Sequence, residues 1–166
     1  RQENRPEGVA LGCIRRDMAG QMGADAALAA DDTLIPRLRE MNEGRLADLV
    51  IICFDGFIPL ALRCVEKGGT ILFFAGAAEG ATLPGALNDL FWRTEITLTS
   101  TYAGAPADCL TALKLIREQS VPVLHTVTHR LSMDEGAIGF RMVASPVEHH
   151  CLKVIVRPQE SAYPRS

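Results

Sequence analysis

Apolar residues in this chain gather in short unbroken runs separated by helical and turn-like stretches. The clearest run is Ala47-Asp48-Leu49-Val50-Ile51-Ile52-Cys53. A helical stretch follows it, and then Gly68-Gly69-Thr70-Ile71-Leu72-Phe73-Phe74-Ala75-Gly76. This order reads as a buried strand over 49–53, a crossover helix over 59–66, a stop and turn at Lys67-Gly68-Gly69, and a second buried strand over 70–75. Runs without polar alternation suit parallel strands covered on both faces. In such sheets ligands lie beyond the carboxyl ends of the strands. Phe54-Asp55-Gly56 and Ala75-Gly76-Ala77 therefore mark a candidate crevice.

The same reading extends along the chain. Strands are predicted at Val9–Ile14, Ala24–Leu28, Glu95–Tyr102, Val123–Leu131 and Leu152–Val156, the last stopped by Pro158. Helices are predicted over Arg16–Met22, ending at Gly23, and from an Asp31 or Asp32 cap to a close at Asn42-Glu43-Gly44. Gly104-Ala105-Pro106 opens a helix with Cys109, Leu110, Leu113 and Ile116 on one face. Its Asp108, Lys114 and Arg117 all suit the helix dipole. Residues 77–86 read as a loop, and Leu87–Trp92 as a short helical turn. Ser132-Met133-Asp134-Glu135 matches a capping box and announces a helix to about Val143. Strands alternating with short helices indicate βαβ units and a mostly parallel sheet.

Composition narrows the function. The 166 residues suffice for one domain, and net charge −3 offers no attraction to nucleic acid or an anionic membrane. No apolar run reaches the length of a membrane helix, and the polar N-terminus does not resemble a secretory signal. Cys13, Cys53, Cys64, Cys109 and Cys151 are scattered, odd in number and without a C-x-x-C pair. Reduced thiols in a cytoplasmic protein are the simpler expectation. The chain starts at Arg1 without Met, as expected of a fragment or the ordered remainder of something longer.

Seven pieces, in this order, resemble the C-terminal part of the medium-chain, zinc-dependent alcohol dehydrogenases, the group that includes sorbitol and threonine dehydrogenases. They are R-R-D-M-A-G-Q-M-G-A-D (15–25), A-D-L-V-I-I-C (47–53), A-L-R-C-V-E-K-G-G-T-I-L-F-F-A-G (61–76), E-I-T-L-T-S-T-Y-A-G (95–104), A-L-K-L-I-R (112–117), T-H-R-L-S-M-D-E-G (128–136) and L-K-V-I-V-R-P (152–158). The resemblance implies an α/β fold: a partial Rossmann-type, doubly wound, mostly parallel sheet with helices on both faces. It implies a partial NAD(P)-binding domain over 1–122. Residues 123–166 would then be a C-terminal segment that in the family returns to a GroES-like catalytic domain absent here. NAD or NADP is the implied cofactor, with Phe54, Asp55, Gly56, Phe74, Ala75, Gly76, Ser100, Thr101 and Tyr102 lining its nicotinamide half. A glycine fingerprint for the pyrophosphate is missing, and so are the Cys and His-Glu ligands of the family's zinc. No catalytic or metal-binding residue is assigned to this chain, which is expected to be inactive alone. The parent enzyme would act on a small alcohol, polyol or carbonyl compound. A homodimer or tetramer through the 95–102 strand is implied as well.

Plainer readings stand beside these. Gly56 and Gly76 are either turn glycines or points of close backbone approach, and the motif order favours the second. Asp55 is a helix cap or a cofactor contact. Ser100 and Thr101 are ordinary strand residues without the resemblance, and Tyr102 reads as a half-buried packing residue. Cys53 reads as inert core. His149-His150-Cys151 reads as a solvated loop, and His125 and His129 as structural. Two further functions remain open: a non-catalytic α/β module for dimerisation or nucleotide binding, and an unrelated α/β protein that binds another nucleotide.

Overall fold

A computed structural model of the protein describes residues 14–53, 57–76 and 79–158. The chain divides into two units, Ala29–Ala105 and the described parts of Arg1–Leu28 with Pro106–Ser166. In the first unit, β1 (Ala47–Ile52) pairs in parallel with β2 (Val65–Phe73), and β2 pairs in parallel with β3 (Thr97–Ser100). The predicted βαβ unit is thus formed, with Val50 opposite Ile71 and Ile52 opposite Phe73. Helix α3 (Ile58–Cys64) crosses between β1 and β2 and covers one face of the sheet. Ile71, only 1% exposed, centres the core with Ile52, Ala61 and Val65, and Val50, Phe73, Ile96 and Leu98 pack around them.

The opposite face differs from the expectation of two-sided burial. Leu49 is 55% exposed and Ile51 is 49% exposed. Period-2 alternation puts these two on the face away from α3. Cys53, read as core, shares that parity and is exposed.

Helix α2 (Leu34–Met41) begins after a local turn in which the Asp31 carboxylate accepts from the Thr33 amide at 2.9 Å and hydroxyl at 2.6 Å. Thr33, and neither aspartate, holds the N-cap position. The helix closes as expected: Glu43 (φ 53°) and Gly44 (φ 84°) turn left-handed, and the Gly44 amide returns to the Arg39 carbonyl at 2.7 Å. Helix α3 stops at Cys64, two residues early, and Lys67-Gly68-Gly69 lies inside β2. The Glu66 carboxylate explains this, because it accepts from the Leu46 amide at 2.7 Å and the Lys67 amide at 3.1 Å. A helical Glu66 would forgo that link to the start of β1. Gly69 is required by space, since a Cβ there would meet the Glu66 carbonyl at 2.9 Å and the Asp48 carbonyl at 3.0 Å. A π-helical turn, Asn88–Trp92, precedes β3. Strand β3 is shorter than the predicted 95–102 because Glu95 adopts φ 55° and breaks the extended backbone.

In the second unit, residues 14–21 form helix α1, which ends at Gly23 (φ 93°). The Val9–Ile14 strand falls on residues outside the description except Ile14, which is helical. Residues 24–28 carry no strand, because no described strand pairs with them. Helix α4 (Pro106–Arg117) forms as predicted, with Leu110, Leu113 and Ile116 exposed. The predicted 123–131 strand divides into a 3₁₀ turn, Val123–Thr126, and β4 (Val127–Ser132). β4 pairs in parallel with β5 (Lys153–Arg157) across α5 (Gly136–Ala144). The capping-box residues form a turn ahead of α5: the Glu135 carboxylate accepts from the Ser132 amide at 2.9 Å and hydroxyl at 2.8 Å. Gly139 lets α5 close on the strands, since a Cβ would meet Leu131 and Val154 at 3.1 Å.

Ile71→Ala should cost about 2–5 kcal/mol and Leu49→Ala only about 0.5 kcal/mol, measured by chemical denaturation. The backbone amide bonds from Leu46 and then Lys67, aided by Arg39 and Arg45, hold the Glu66 carboxyl below its ordinary value. A depressed folded value means the contribution is complete above the unfolded carboxyl's titration and disappears as pH falls through the folded one. Glu66→Gln should therefore flatten the acid limb of a denaturant-midpoint-against-pH curve and leave its slope near neutrality unchanged.

Candidate functional site

The parallel register aligns three strand ends. Ile52 lies opposite Phe73, and Phe73 lies opposite Ser100, so β1, β2 and β3 finish at one level. Beyond β2 the chain bends toward β1: the Phe74 and Ala75 amides both donate to the Ile52 carbonyl, at 3.1 and 2.9 Å. On the other side the Thr101 amide donates to the Phe73 carbonyl at 3.4 Å. Phe74-Ala75-Gly76 and Ser100-Thr101-Tyr102 are thereby adjacent at the carboxyl edge of the sheet. Phe54, Asp55 and Gly56, the remaining predicted site residues, lie outside the described residues, as does Ala77.

The edge is open. Phe74 is 64% exposed, and Tyr102, expected to be half-buried, is 98% exposed. Tyr102 follows the last β3 residue by two positions and leaves the sheet before any core can cover it. Among the described residues no atom lies within 4 Å of where a Gly76 Cβ would stand. The edge thus presents the exposed Phe74 ring beside the Gly76 backbone, with Ser100 and Thr101 at the neighbouring strand end. Backbone amides and carbonyls in such a setting suit a carboxamide.

A pocket of about 220 Å³ lies beside β1, lined by Val50, Ile51, Ile52, Cys53, Phe57, Leu60, Ala61 and Cys64. Sequence reasoning did not identify it. Cys64 is partly buried, which pushes its thiol up, and Arg63 draws it partly back.

Elsewhere, His149, His150 and Cys151 follow α5 in a turn, and Cys151 is buried. His149 lies 4.0 Å from the Glu148 carboxylate. His129 contacts the Thr128 hydroxyl at 3.0 Å on β4, and His125 lies in the 3₁₀ turn. Among the described residues no three of His, Cys, Asp and Glu converge on a point that could hold a metal ion. These described residues supply no ligand set for zinc. No described helix is long and apolar enough to cross a membrane.

Solved structures share this fold. An alcohol dehydrogenase from Thermotoga maritima matches with a TM-score of 0.75 at 19% identity, over 87% of this chain and 40% of that one. An alcohol dehydrogenase from Thermus sp. ATN1 matches with a TM-score of 0.69 at 22% identity, over 84% and 40%. A third, described as a short chain alcohol dehydrogenase from E. coli CFT073 complexed with NADH, gives a TM-score of 0.72 at 16% identity, over 87% and 42%. The chain thus spans about 40% of the length of these relatives. No curated protein matches it. The family model for zinc-binding dehydrogenases matches residues 8–118, a stretch that contains the whole parallel three-stranded sheet. With the seven motifs in order and the fold shared, this chain belongs to the zinc-binding dehydrogenase family.

Proposed function

We propose that this chain contributes the nicotinamide half of an NAD(P) site to a zinc-type alcohol or polyol dehydrogenase. The observation that carries the reading is the common level of the β1, β2 and β3 ends, which gathers Phe74, Ala75, Gly76, Ser100, Thr101 and Tyr102 along one edge. Phe54, Asp55 and Gly56 complete the set in the same reading. When bound, NAD or NADP supplies the hydride acceptor or donor for an alcohol or carbonyl substrate. The residues of this chain orient its ring: Gly76 gives backbone access, Phe74 offers an apolar wall, and Ser100 and Thr101 offer hydrogen-bonding groups.

On this reading residues 1–122 form part of the coenzyme domain, and 123–166 return toward a catalytic domain. The 95–102 segment forms a homodimer or tetramer edge, as suits a strand at the end of the β1-β2-β3 order. Free thiols at Cys53, Cys64, Cys109 and Cys151 support a cytoplasmic setting. On the same reading the 166-residue chain alone is inactive: among the described residues no ligand set for zinc converges, and the sequence carries no glycine fingerprint for the pyrophosphate.

Titration of the chain with NADH, followed through Trp92 and nicotinamide fluorescence, should give a saturable change. Gly76→Val should weaken binding by about tenfold while leaving the melting curve in place, because no atom of a described residue lies where its Cβ would stand. A change that does not saturate overturns the coenzyme reading. In a separate assay, the purified chain with zinc, NAD and a panel of alcohols should form no NADH above the blank. Turnover there would disprove inactivity and leave the binding reading intact.

A further inference from the structure

We draw no further inference here: the strongest candidate, the exposed apolar face of α4 that carries Leu110, Leu113 and Ile116, is a surface patch for which nothing among the described residues shows what covers it.

Discussion

The parallel contact between β1 and β2 is the constraint from which the rest of this structure follows. A strand pair slipped by one residue exchanges its faces. Here that slip would bring Leu49 and Ile51 against α3 and expel Val50 and Ile52. The register is held at the start of the pair, where the ladder itself is irregular between Ala47 and Leu49. Gly69 lies against the Asp48 and Glu66 carbonyls where no side chain fits, and the Glu66 carboxylate binds the amide just before β1. The Gly68 amide reaches the Thr94 carbonyl at 2.8 Å, which ties the same point to the approach of β3. With these contacts made, the strand ends fall into line, and the candidate site is their consequence.

The second unit solves the same problem with different atoms. Its parallel pair is also irregular at the start, between Val127 and His129. There the Thr128 hydroxyl replaces the missing ladder bonds. It accepts from the Leu152 amide at 3.1 Å and the Lys153 amide at 3.3 Å, and it donates to the Lys153 carbonyl at 3.1 Å. Its role matches that of Glu66, with a hydroxyl in place of a carboxylate. A hydroxyl can donate as well as accept and does not titrate in the acid range. The two starting points should therefore differ in acid sensitivity although they serve one geometric purpose.

What the sequence disclosed follows this division between burial and local chemistry. β1, β2 and β5 were legible because apolar runs and a following glycine or proline carry their own signal. The stop of α3 was not, because Val65 and Glu66 continue a helical pattern and only the distant Leu46 amide turns Glu66 into a strand residue. At Ser132 and Glu135 the partners were read correctly, but their bond closes a turn and α5 starts later, at Gly136. Residues 24–28, three alanines with an aspartate and a leucine, have neither strand propensity nor a described partner, so the short strand expected there does not form. At the site, Gly76 and the β3 end could be found from strand order. The exposure of Tyr102 could not, since it depends on where β3 stops.

The error over β1 has a more general cause. A continuous apolar run states that both faces prefer burial, but it does not state which atoms provide it. In this chain α3 covers one face, while Leu49, Ile51 and the Leu110, Leu113 and Ile116 positions of α4 remain exposed. Scattered exposed leucines would carry little meaning. These are instead ordered by periodicity, two on one strand face and three on one helix face, each the apolar half of a correctly predicted element. The pattern of the sequence therefore specifies more contacts than the described residues make with one another. Among the described residues those contacts stay unmet on the outer face of β1 and along one face of α4, which is why an apolar run predicts an element more securely than it predicts the element's neighbours.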